Sequence, residues 1–187
     1  MSTLSVARRL AGVAVLLGLP FAEAAADDQS DCLGPDPAIG IPACTRLIGA
    51  PGAGAEAVAD AYVGRAMHHI VQGDFDGALA DLDAALARSP RHAAAHYNRG
   101  GVHGLQGRYD DALAALDEAI RLDPGTAESH HARGRIHFEV GDVDAAVADF
   151  DAALNVDAEH VDALLSQRPV AVGNNRSYFF AIILLSR

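Results

Sequence analysis

Histidine is the residue type in this chain best suited to chemistry. There are nine, and an imidazole binds metals and exchanges a proton near neutral pH. His92 and His96 lie one helical turn apart and His130 and His131 are adjacent, so the sharpest catalytic reading is a histidine-based metal site or a metal-dependent enzyme. Other chemistry is thinner. Ser89, Ser129 and Ser166 lack the G-x-S-x-G surroundings of an activated serine. All 14 basic residues are arginine, which excludes a lysine Schiff base and a GxxxxGK[ST] phosphate loop. Cys32 and Cys44 are the only cysteines. Their spacing excludes a redox-active CxxC, and a zinc site there would need two further ligands nearby.

The elements that must position these residues emerge from a search for self-similarity. Residues 59–92, 93–126 and 127–160 superimpose without gaps at a period of 34. Arg65, Arg99 and Arg133 share a column, followed by the small residues Ala66, Gly100 and Gly134. His69, His103 and His137 coincide, then Gly73, Gly107 and Gly141. Leu82, Leu116 and Phe150 form one column, Ala78, Ala112 and Ala146 another, and Ala85, Ala119 and Ala153 a third. Each unit reads as two helices. The first stops before a glycine suited to a left-handed turn. The second opens near Asp76, Asp110 or Asp144, where a carboxylate favours the positive end of the helix dipole. Its apolar residues follow helical spacing, as in Leu79, Leu82 and Leu86. Pro90 and Pro124 end the first two units, with Ala158 in place of proline in the third. Arg65 with Asp81 and Arg133 with Asp149 share one spacing and are expected to pair, whereas Arg99 faces Ala115. The acidic residues fall in repeat columns and are expected on solvated helix faces.

These columns resemble the tetratricopeptide repeat family over about residues 59–160. The resemblance implies an all-α fold, a right-handed α-α superhelix of three antiparallel helix pairs with terminal caps. It also implies a concave, ligand-binding groove lined by the first helices: Val63, Met67 and Ile70, then Tyr97, Asn98, Gly101 and Gly104, then His131, Arg135 and Phe138. Gly101 and Gly104 are expected to leave bare backbone on that face for close approach of a peptide, with Asn98 and Arg135 offering polar contacts. Histidines replace family aromatics: His96 and His130 stand where Tyr62 stands once, and His69, His103 and His137 replace the tyrosine before the glycine turn. They are read as packing residues with satisfied ring nitrogens. The lysine-and-asparagine clamp that some members use for a terminal carboxylate is absent.

The flanks suggest export. Arg8 and Arg9 precede an apolar and glycine run from Leu10 to Leu19, and Phe21 to Ala26 offers small residues at signal-peptidase spacing, Ala22/Ala24 or Ala24/Ala26. The run is about ten residues, too short to span a bilayer. Residues 1–26 are therefore expected to be a cleaved signal peptide, and the mature chain periplasmic or secreted with no membrane span. An only pair of cysteines in such a chain reads as a disulfide, closing a loop with roughly 3 kcal/mol of stabilisation. The stretch from Asp31 to Ile48 resembles a cap ahead of the repeats in exported proteobacterial members, with the second cysteine in a short helix that starts near Pro42 and covers the first repeat. Residues 27–58 are then cap and linker, the linker being 49–58.

Residues 161–187 begin a fourth first helix, which Pro169 breaks, and end in the apolar run Tyr178 to Leu185. That tail folds back over the open end, mediates self-association, or is an aberrant terminus from a shifted frame. The chain contains 39 alanines, and its net charge of -11 argues against nucleic acid and anionic membranes. The sequence thus points to a non-enzymatic scaffold, without cofactor, for a neutral or basic peptide or protein.

Overall fold

The computed structural model describes residues 27–157. The expected signal segment 1–26 and the expected capping helix and tail 161–187 lie outside them. Among the described residues every regular element is a helix. After a helical stretch at 27–32 come α1 (Pro37–Ile48), α2 (Ala55–Gln72), α3 (Phe75–Arg88), α4 (Ala93–Leu105), α5 (Tyr109–Leu122), α6 (Ala127–Val140) and α7 (Val143–Val156). The chain divides into two compact units at the His92–Ala93 junction. In the first, α2 packs against α1 and α3. In the second, α4 packs on α5, α5 on α6 and α6 on α7, with a lighter contact between α4 and α6.

Local chemistry explains the helix ends. Gly73, Gly107 and Gly141 have φ of 75°, 72° and 87°, a left-handed conformation that side-chain-bearing residues avoid. The turns are two, three and two residues long, and each leads directly into a second helix. Asp74 and Asp142 cap those helices, accepting from the Gly77 and Ala145 amides at 3.0 and 3.1 Å. Arg108 holds the same place in the middle repeat without a side-chain cap. The second helices end in register at Arg88, Leu122 and Val156. The third does so although no proline follows it, so proline is not what stops these helices. The amides of Ser89, Asp123 and Asp157 close onto Ala85, Ala119 and Ala153 carbonyls as the backbone turns extended.

Packing within each pair rests on the small column. A Cβ on Gly100 would lie 2.7 Å from Leu116 Cγ and 3.1 Å from the Ala112 carbonyl oxygen. On Gly134 it would lie 3.1 Å from both the Ala146 carbonyl oxygen and the Phe150 ring. Ala66 is fully buried in the same column, as are Leu82 and Leu116 in the facing one.

Two expectations about the N-terminal region are corrected. Residues 49–58 are not all linker, because α2 begins at Ala55. Ala55-Glu56-Ala57-Val58 are capable helix formers with an acidic group in the first turn, and Val58 is buried. The preceding helix does not start near Pro42. It starts at Pro37, a proline at the first helical position, behind Asp36, whose carboxylate accepts from the Ala38 amide at 2.9 Å. Pro42 lies inside it.

Leu116→Ala is expected to cost about 2–5 kcal/mol, and Gly100→Ala about 1–3 kcal/mol by overpacking. Gly101→Ala should instead stabilise by about 1 kcal/mol, because nothing lies within 4 Å of its added Cβ. Urea unfolding monitored by circular dichroism checks all three signs.

Candidate functional site

The charged groups are organised by the repeat. Arg65 forms a forked pair with Asp81 at 2.8 and 2.7 Å, and Arg133 one with Asp149 at 2.8 and 2.6 Å. The expected pairing is present, but the expected solvation of the acids is not. Asp81 and Asp149 are buried, since they occupy the helix face that packs on the first helix. Hydrogen bonds that Arg133 donates to Asp149 hold its guanidinium well above the ordinary arginine range against the opposing effect of burial, with Asp117 adding to the upward shift. Arg65 is shifted the same way by Asp81, and its guanidinium stands 5.4 Å from the Tyr62 ring centre.

Among the described residues the histidines are packing residues, and not all of their ring nitrogens are satisfied. Arg108 donates to His103 Nδ1 at 2.5 Å, and His92 Nε2 meets Asp60 at 2.9 Å. The buried Nδ1 atoms of His69 and His130 make no hydrogen bond, although they lie 3.0 and 3.6 Å from carboxylate oxygens of Asp74 and Asp149. The helices fix those rings by packing, and the carboxylates are committed to a helix cap and an arginine. Among the described residues, no three His, Cys, Asp or Glu side chains gather where they could hold a metal ion.

The candidate groove residues divide between the units. In the first, Met67 is half exposed and Ile70 partly buried, but Val63 is buried and belongs to the core. In the second, Gly101 stands open, whereas Gly104 does not present bare backbone. Its Cβ position lies 2.7 Å from Ile136 Cδ1, so α6 covers it. Asn98 turns back on its own helix, donating to the Ala94 carbonyl at 2.8 Å. His131 stacks obliquely on Phe150 with ring centres 5.5 Å apart. Arg135 is exposed and Phe138 partly buried.

Tyr97 and Arg135 come together, along with a residue that sequence reasoning missed. Burial pushes the Tyr97 phenol above its ordinary value, the Glu128 carboxylate adds to that shift, and the Arg135 guanidinium opposes it. The signal for Glu128 was its repeat column, which holds Asp60, Ala94 and Glu128. The second unit therefore holds a partly buried phenol that feels two opposite charges, Glu128 and Arg135, with open backbone at Gly101 one turn further along α4.

Paired antiparallel helices in a 34-residue register define a helical-repeat protein. The family profile described as tetratricopeptide repeat matches residues 63–127 and 131–167, more than half of the chain. The chain belongs to the tetratricopeptide repeat family. No curated protein matches it. Among solved structures it is similar to a crystal structure of MamA, at 23% identity and a TM-score of 0.57, covering 67% of this chain and 71% of that one. It is also similar to the second TPR of Spaghetti (RPAP3) bound to the HSP90 peptide SRMEEVD, at 21% identity and a TM-score of 0.52, covering 53% of this chain and 92% of that one. At these identities the likeness shows the fold.

Arg133→Ala should leave Asp149 buried without its main partner and destabilise by about 1–3 kcal/mol. Arg99→Ala should cost less, as measured by denaturant midpoints, because Ala115 stands where the other repeats bury a carboxylate. Because the folded-state value of Tyr97 is raised, its neutral form contributes stability that is complete below the ordinary tyrosine value and is lost as pH rises through the shifted one. Absorbance titration should show a late phenol ionisation that Tyr97→Phe removes and Arg135→Gln moves further upward.

Proposed function

We propose that this chain is a non-enzymatic interaction scaffold of the cell envelope, exported by residues 1–26, that holds a peptide segment against the first-helix face of its second unit. The observation that carries this reading is Gly101. It is a helical glycine with nothing within 4 Å of its Cβ position, on the same helix as Tyr97 and repeated in register by the exposed Arg135. A glycine in a helix interior costs about 1 kcal/mol relative to alanine, and no neighbour within the unit requires this one. Close approach of a partner backbone gives it a use.

The second TPR of Spaghetti (RPAP3) is bound to a peptide in its solved structure, which supports peptide binding as a use of this fold. That peptide ends in acidic residues. Here the absence of lysine removes the usual carboxylate clamp, and a net charge of -11 favours a neutral or basic partner. Export is supported by the signal-like pattern of residues 1–26 and by a buried disulfide, which persists in oxidising compartments.

Crosslinked pull-down from a periplasmic extract supplies the partner, and calorimetry with its bound segment tests the site. Gly101→Leu places a side chain where an added Cβ meets nothing within 4 Å, and it and Tyr97→Ala/Arg135→Ala should each weaken binding at least about tenfold, roughly 1.4 kcal/mol. Arg121→Ala, in an exposed pair with Glu118, should leave binding unchanged. Wild-type affinity in both site variants refutes the assignment.

A further inference from the structure

Helix α1 lies outside the 34-residue repeat, yet it packs as a second helix of a repeat does. In α5 the buried positions, counted from the first residue, are the fourth, seventh, eighth and eleventh: Ala112, Ala115, Leu116 and Ala119. In α1 the same count falls on Gly40, Ala43 and Cys44, all buried, and on the partly buried Leu47. Both helices follow an N-cap residue in the same place, Arg108 and Asp36.

A hydrogen bond confirms this register independently. Arg133 of α6 uses Nη1 to reach back to Asp117, the ninth residue of α5, at 2.6 Å. Arg65, its equivalent in α2, uses Nη1 to reach back to Thr45, the ninth residue of α1, at 3.0 Å. The α2 face beneath α1 is thus the counterpart of the α6 face beneath α5.

What differs is the means of attachment. The eighth position, a fully buried leucine in α3 and α5, is Cys44 in α1, bonded to Cys32. Two glycines let this bond settle onto α2. A Cβ on Gly64 would lie 2.9 Å from Cys32 Sγ, and a Cβ on Gly40 would lie 1.9 Å from His68 Nε2. His68, itself buried, meets the Cys32 carbonyl through the same Nε2 at 2.9 Å. As a helix α1 is poor, because twelve residues include Gly40 and Pro42. Among the described residues its buried cluster is Cys32, Ala43 and Cys44, with Leu47 packed against them.

We propose that residues 27–48 are a collapsed repeat whose second helix, α1, occupies the helix-docking face of α2 only while the Cys32–Cys44 bond is closed. The disulfide replaces the large apolar side chain, Leu82, Leu116 or Phe150, that holds the other second helices, and acts as a lock on that face.

Amide hydrogen exchange on three full-length proteins tests this: the oxidised wild type, Cys32→Ala/Cys44→Ala, and Cys32→Ala/Cys44→Leu. In the double-alanine variant, protection in residues 40–48 should fall about 100-fold, while α3 to α7 remain protected. In the alanine–leucine variant, leucine stands where α3 and α5 have it, and protection in 40–48 should recover at least about tenfold. Undiminished protection in the double-alanine variant overturns the lock. An alanine–leucine variant no better protected than the double-alanine one overturns the register. Loss of protection throughout α3 to α7 shows that the segment is not a separable unit, which also overturns the proposal.

Discussion

The close approach of two helices within each repeat is the constraint on which the rest of this protein depends. Ala66, Gly100 and Gly134 carry no more than a methyl group, and Leu82, Leu116 and Phe150 fill the space this leaves. At Gly100 and Gly134 the margin is smaller than a Cβ atom. With that contact set, the alanine columns of the second helices are buried as a consequence. The 39 alanines and the few aromatics therefore describe a core made of backbone proximity rather than of large side chains.

On this common frame the repeats diverge in their polar interiors. The first and third bury an aspartate at the seventh position of the second helix and answer it with a forked arginine. The middle one places Ala115 there, and Arg99 instead approaches His96 Nδ1 at 3.4 Å. A buried carboxylate requires a partner, and an alanine requires none, so both solutions satisfy the same packing. The pairs contribute geometric definition more than net energy, because each draws two charges partly out of water.

Much of the fold was legible in the sequence, and less of the candidate site. The column of small residues, the glycine turns and the arginine–aspartate spacing each report a relation between residues a fixed distance apart, which a period of 34 exposes. The groove residues are a different kind of claim. Gly101 and Gly104 look alike in sequence, yet one is open and the other is covered by Ile136. Val63, Asn98 and His131 are placed on the right helices but are taken up by the core, by the Ala94 carbonyl and by Phe150. Glu128 acts on Tyr97 from a helix two elements away, and only an irregular column hinted at it.

By itself the sequence determined what local physics decides: helix ends at left-handed glycines, acidic first turns of the second helices, a single disulfide partner for each cysteine and the period that repeats the helix pairs. Tertiary structure alone decided which polar groups are buried, which glycine is exposed and where α1 seats. Those outcomes depend on the neighbouring helix, whose side chains fill or leave the space, and its distance in sequence carries no record of that fit. The histidines show both sides of this division. Their spacing suggested chemistry, and their neighbours made them part of the packing.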